Sequence, residues 1–392
     1  MNPSERIVKN LCEKSFFSLW SYPNPQYKKK KELCDVLVVF DPYVIIISIK
    51  DINFNENREN SVSKKRWIKE AVTKSISQID GAVKWINSNE KVITNDGAYG
   101  INIPSSKRII RIGIAFGSKG KVPILSGKIG DFLYHIFDEL SLDKLMTELD
   151  TISDFIEYLI KKEEFIQSCP DIVIEGGEED LLALYLREGR KFPTDVQKLI
   201  VQNHIWEEFE NSDVYSKRNE KNKISYAWDS LIEDLCNWYY NGELIMNHNL
   251  DEFESAIRIM AGENRFNRRL LSDQFGEMLY NRIKARMTES NSGVTYVFQA
   301  NAPNEDRDER KAELHLRCIL ARKEFIKNST VIGIATEMRN SKNIPVSYDI
   351  IKYTLDEWTE EMEEKSKIIK EETNFFAKTE KKEGHFYEYP QT

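Results

Sequence analysis

The sequence predicts an α/β protein: a mixed sheet flanked by helices, followed by a mainly helical region and a C-terminal α+β part. Three stretches carry that expectation. KELCDVLVVFDPYVIIISIKD (31–51) sets two apolar, β-branched runs about a DPY turn, the pattern of a buried hairpin. KKRWIKEAVTKSISQIDGAVKWI (64–86) repeats Ile68, Val72, Ile76, Ile79, Val83 and Ile86 at spacings of three and four, which makes one aliphatic stripe on a helix. RIIRIGIAFG (108–117) is a buried strand that ends at glycine. A chain of 392 residues is long enough for two or three domains, and the divisions expected are 1–135, 136–290 and 291–392.

The remaining elements follow in order. SERIVKNLCEKSFFSLW opens with a capping serine, Ser4, and aligns Val8, Leu11, Cys12 and Ser15 on one helical face. SYPNPQY breaks that helix, because two prolines cannot continue it. A basic run, Lys28–Lys31, precedes the hairpin. LSLDKLMTELDTISDFIEYLIKKEEFI (140–166) reads as one long amphipathic helix capped by Ser141 or Asp143. From about 170 to 290 the pattern is mainly helical. VTYVFQA and TVIGIATEM are strands, ERKAELHLRCILARKEFI and TLDEWTEEMEEKSKIIKEETNFF helices, and the polar tail docks loosely or frays. IGIA occurs at 112–115 and 332–335, short of the sustained period that a repeat array shows.

No apolar run approaches the roughly 20 residues of a membrane span, so no membrane partner is expected. The N-terminal stretch lacks the apolar centre of a signal peptide, and the five cysteines include no CxxC pair; both predict a reducing, cytoplasmic setting. The five histidines are scattered, which argues against a Cys/His zinc site. The net charge of −8 is unevenly spread. Residues 1–130 hold 22 basic against 12 acidic groups, whereas the rest hold 34 against 52. A basic N-terminal part on an acidic chain is what a local polyanion site needs.

Polar residues stand at both outer ends of the hairpin. Strand side chains alternate faces, so Ser48 and Lys50 point one way and Ile49 and Asp51 the other. With the turn at Asp41-Pro42, Asp35 falls opposite the 48–50 end. On the following helix, Ala71, Ser75, Gln78 and Ala82 form a strip of small residues beside the aliphatic stripe, with Gln78 its large polar member. On the first helix, Glu5 shares a face with Val8 and Cys12.

The order helix, hairpin, helix, strand, with these residues, resembles the PD-(D/E)xK phosphodiesterase superfamily, the restriction-endonuclease-like fold. The resemblance covers about the first 120 residues; beyond them the chain looks like a bacterial hypothetical-protein family. Asp35 matches the family's first aspartate, Ser48-Ile49-Lys50 stands where (D/E)-x-K belongs, Gln78 matches the helix glutamine, and Glu5 is the matching glutamate of the first helix. The resemblance implies a nuclease that holds Mg²⁺ or Mn²⁺ through Glu5 and Asp35, with Asp35, Ser48, Lys50 and Gln78 as the catalytic group. It implies nucleic acid as partner, DNA ahead of RNA, and by analogy alone a part in bacterial defence. The metal would supply Lewis acidity and a more acidic water, and Lys50 would orient that water or meet the developing charge.

Ser48 departs from the pattern, because it removes a formal charge from the metal site. It favours an alternative, a catalytically degenerate nuclease fold that binds nucleic acid or a protein partner, with self-association through the acidic remainder. The plainest reading is structural: Asp35 begins a strand and Lys50-Asp51 end one at solvent. GSKGK (117–121) lacks phosphate-loop spacing. Arg307, Arg310, Arg317 and Arg322 are expected to pair with acids such as Glu309 and Glu313 on their own helix. Trp206, Trp228, Trp238 and Trp358 are read as core anchors.

Overall fold

A computed structural model describes residues 2–28, 31–54, 60–97, 100–120, 122, 126–169, 171–194, 196–242, 250–302, 305–339, 344–377 and 387–389. They gather into two units, 1–212 and 213–392, so the helices at 139–168 belong with the hairpin.

The first unit begins with α1 (Pro3–Phe16), then β1 (Ser21–Pro23), β2 (Gln26–Lys28), β3 (Lys31–Glu32), β4 (Val36–Phe40) and β5 (Tyr43–Asp51). A long helix follows in two α-helical parts, α2 (Asn60–Trp67) and α3 (Lys74–Ser88), joined by a π-helical turn at Ile68–Thr73. Next come β6 (Lys91–Ile93), β7 (Gly100–Asn102), β8 (Arg108–Phe116), β9 (Gly127–Ile129) and β10 (Phe132–Phe137). The unit closes with α4 (Glu139–Glu148), α5 (Ile152–Ser168), β11 (Asp171–Ile174), α6 (Glu178–Arg187), β12 (Lys198–Val201) and α7 (Ile205–Glu210).

Its main sheet runs β1-β4-β5-β8-β10-β9. β1, β4 and β5 pair antiparallel, and β8 joins β5 in parallel, as β10 joins β8. Every residue of β4 is buried, which a strand achieves only when both sheet faces are covered. Val8, Cys12 and Phe16 of α1 pack with Ile47, Ile112 and Ile114 on one face. The α3 stripe packs on the other, over Leu37, Val44 and Ile46. Gly113 lies beside Ser48 in the β5–β8 register. A Cβ there would stand 2.8 Å from Ile136 Cδ1 and 3.4 Å from Ser75 Cβ, so glycine lets α3 sit close above the sheet.

The stripe differs from the expected single period. The π-helical turn adds a residue, so Trp67 and Ala71 are buried along with Val72, Ile79, Val83 and Ile86, while Ile68 and Ile76 are only half-buried. The cap of α1 is Asn2 rather than Ser4, because Pro3 is suited to the first helical position and the Asn2 side chain accepts the Glu5 N–H. The expected helix over 140–166 is two helices. Leu149 closes α4, and Thr151 caps α5 by accepting the Asp154 N–H. The cap of α4 is Asp138, with Ser141 completing a capping box at its third position. Part of the helical middle is also strand: β11 and β12 form a two-stranded parallel sheet.

The second unit contains α8 (Asp213–Asn222), α9 (Tyr226–Tyr240), α10 (Leu250–Ala261), α11 (Arg265–Tyr280), β13 (Ala285–Glu289), β14 (Val294–Asn301), α12 (Arg307–Glu324), β15 (Thr330–Arg339), β16 (Ile344–Thr354) and α13 (Glu360–Thr373). Its sheet runs β13-β14-β15-β16, with β14 and β15 parallel and α12 as their crossover. The two IGIA runs meet here in one physical cause. A Cβ on Gly333 would stand 2.5 Å from Cys318 Sγ, so this glycine seats α12 as Gly113 seats α3. Arg307 and Arg310 of α12 pair with Asp349 of β16, a partner across the fold instead of the expected neighbours on the helix. Arg317 does lie near Glu313, at 3.9 Å. Trp206 and Trp228 are buried core anchors as expected, while Trp238 and Trp358 are half-buried. Of the tail, Glu388 pairs with Arg218 and the Tyr387 carbonyl accepts from Arg269; 378–386 and 390–392 lie outside the described residues.

Candidate active site

The hairpin register decides which polar groups can meet. Val36 pairs with Ile47, which sets Asp35 against Ser48. The Asp35 Oδ2 accepts the Ile49 N–H at 2.6 Å, and Lys50 Nζ stands 3.8 Å from the same oxygen. Because Ser48 and Lys50 share the face covered by α3, both reach Gln78. Gln78 Oε1 accepts from Ser48 Oγ at 2.8 Å and from Lys50 Nζ at 2.7 Å. Lys50 also donates to the Ile49 carbonyl at 3.2 Å, and Ser48 Oγ lies 3.2 Å from Ser75 Oγ. Four of the five candidate residues therefore meet: Ser48, Lys50 and Gln78 are hydrogen-bonded together, and Asp35 joins them through its ion pair with Lys50.

Glu5 is placed differently. Its carboxylate accepts the Asn2 N–H at 2.9 Å and the Asn2 side-chain amide at 2.7 Å, a capping box at the start of α1. That helix packs on the Ile47 face, across the sheet from Lys50. Ser4 donates to Asp51 at 2.5 Å, which fixes Asp51 to the α1 side, as strand alternation requires.

Glu32 is the residue that sequence reading missed. It ends β3, accepts from Asn24 Nδ2 at 3.1 Å, and lies close enough to the Asp35 carboxyl for its charge to raise that group's pKa. Its only signal in the sequence is an acid three residues before Asp35. Burial pushes the Asp35 carboxyl up to about 6, with Glu32 adding to the rise and the Ile49 N–H and Lys50 opposing it. A cation beside these carboxyls would favour the charged form of Asp35.

Among the described residues, no group of three or more His, Cys, Asp or Glu side chains is placed to hold a metal ion. The corner instead offers two carboxylates, Asp35 and Glu32, beside the Ile49 carbonyl. One or two carboxylates with waters and substrate phosphate is the usual coordination of Mg²⁺, so this donor set suits such an ion. Lys28 and Lys31 are exposed on the hairpin of β2 and β3; Lys29 and Lys30 of that basic run lie outside the described residues, as does Lys121 of GSKGK.

The first unit is thus an α/β domain with a mixed sheet and a polar Asp–Glu–Lys–Gln corner at one end of its central hairpin. No protein-family model, curated protein or solved structure matches the chain. No helix among the described residues is long and apolar enough to cross a membrane.

Proposed function

We propose that the first unit is a restriction-endonuclease-like phosphodiesterase that hydrolyses nucleic acid, DNA ahead of RNA, with Mg²⁺ or Mn²⁺. One observation carries the reading: Asp35, Lys50 and Gln78, distant in sequence, converge at the end of the hairpin, with Lys50 hydrogen-bonded to Gln78 and ion-paired with Asp35. The order α1, antiparallel β1-β4-β5, α3 and parallel β8 supports it. Asp35 and Glu32 are the residues that would hold the ion, taking over the charge that Ser48 does not supply. Such an ion provides Lewis acidity and a lowered water pKa. Gln78 fixes the Lys50 ammonium, and Ser48 fixes Gln78, so a cation stands ready beside the phosphate without reorganising. A role in bacterial defence follows only by analogy with other proteins of this fold.

A second reading rests on Ser48, which is fully buried and turned to Gln78. In it the corner binds nucleic acid, or a protein partner, without cutting. Incubating the protein with plasmid, single-stranded DNA and RNA, each with Mg²⁺, Mn²⁺ or EDTA, separates the two. Metal-dependent cleavage that Lys50→Ala abolishes supports hydrolysis; salt-sensitive binding with no cleavage from folded protein supports the binding module.

A further inference from the structure

Beside the corner runs a groove of about 570 Å³, between the β2–β3 hairpin and α3. Glu32 and Gln78 line both the groove and the corner, so the two are continuous. Its walls include Tyr27 and Trp85, whose ring centroids are 5.1 Å apart, and Lys84 is exposed at the rim.

Three features are not used by the fold. The Trp85 Nε1 is buried and has no hydrogen-bond partner among the described residues. The Gln78 carbonyl is committed to Ser48 and Lys50, which leaves its NH₂ as the open end of the amide. Gly81 sits in the middle of α3, one turn beyond Gln78, where glycine weakens a helix. A Cβ built there would meet nothing within 4 Å, so no described neighbour requires the glycine. Its space opens into the groove.

We infer that this groove takes a base of single-stranded nucleic acid, stacked on Tyr27 with Trp85 tilted 57° beside it, while the adjoining phosphate lies at the Asp35–Lys50 corner. The inference rests on the phosphodiesterase reading and names its substrate as single-stranded. The bare helix surface at Gly81 admits a flat ring, and the Gln78 NH₂ offers a donor to its edge. A base in a duplex is stacked and paired, and cannot enter such a groove without leaving its helix. Lys84, with Lys28 and Lys31 on the hairpin, supplies the charge that a phosphate chain needs.

The test is fluorescence anisotropy in EDTA, with a single-stranded oligonucleotide, its duplex, and an abasic strand of equal length. Wild type should bind the single strand about tenfold more tightly than the abasic strand, as one stacked base provides. Gly81→Leu should raise the Tm, since leucine favours a helix more than glycine does, and yet weaken single-strand binding about tenfold while duplex binding changes less than twofold. A gain in stability with a loss of binding is not what a structural role produces. Equal binding of abasic and normal strands, or unchanged binding by Gly81→Leu while Lys50→Ala still weakens it, overturns the groove and leaves the phosphate corner standing. No binding of any nucleic acid by folded wild type, in EDTA or with Ca²⁺ added, overturns both.

Discussion

Ile49 donates its backbone N–H to Asp35 across the hairpin at 2.6 Å, and this bond holds a carboxyl group in a place that burial makes unfavourable for its charge. In metal-free protein Asp35 titrates near 6 when folded and near 4 when unfolded. Between those values the folded state binds more protons, so stability falls as pH rises from about 4 to 6 and levels off above. Asp35→Asn escapes that loss. It should be more stable than wild type by on the order of 2 kcal/mol at pH 7.5 and about equal at pH 4, as read by urea unfolding in EDTA. An equal shift at both pH values would detach the effect from ionisation.

Divalent cations should reverse the sign of that comparison. Mg²⁺ or Mn²⁺ at 100 times its Kd should stabilise wild type by about 2.7 kcal/mol at pH 7.5. Asp35→Asn and Glu32→Gln should lose most of that gain in a thermal-shift titration. If Glu32→Gln responds as wild type does, Glu32 is not a ligand.

Ser48→Asp restores an acid at the position where the sequence lacks one. Ser48 is completely buried, so the new charge should cost on the order of 3 kcal/mol without metal. Calorimetry should find Mn²⁺ bound at least tenfold more tightly than in wild type, and much of the lost stability regained with it. Unchanged Mn²⁺ affinity would place Ser48 outside the donor shell.

Glu178 and Lys162 form a fully buried ion pair in the first unit, and Tyr158 also donates to Glu178. Glu178→Gln leaves the ammonium without its counter-charge and should cost about 3–5 kcal/mol. The double variant Glu178→Leu/Lys162→Met should cost less than that single change, and a double-mutant cycle from urea unfolding measures the difference.

Gly333→Ala forces a methyl group against Cys318 and Leu314, both completely buried, and should cost about 1–3 kcal/mol. Adding Cys318→Ala should recover part of the loss. A Gly333→Ala protein as stable as wild type would show that α12 can lift from β15.

Much of the corner was legible because it depends on local periods. Strand alternation and the Asp41-Pro42 turn set Asp35 against the 48–50 end, and helical spacing aligned Ser75, Gln78 and Ala82. Glu32 was not legible, because β3 is only two residues long and its irregular pairing with β2, where Gln26 meets Glu32, leaves no period in the sequence. Asp349 as the partner of Arg307 and Arg310 was hidden because a carboxylate on a strand competes with nearer acids only once the sheet has formed. The break between α4 and α5 did carry a signal, Thr151 three residues before Asp154, but the uninterrupted apolar period masked it.

The wide turn at Ile68–Thr73 gives its helix a place where a residue can be lost. The turn holds one residue more than an α-helical turn, so losing one there would leave a plain α-helix with α2 and α3 near their present phases and Ser75, Gln78 and Ile79 seated. Trp67, which donates to the Ile52 carbonyl at 2.8 Å just beyond β5, would keep its place at the strand end. A deletion between Lys74 and Gln78 has no wide turn to absorb it and would carry Gln78 off Lys50. Deletions in this helix therefore sort into two kinds, those that the wide turn takes up and those that dismantle the corner.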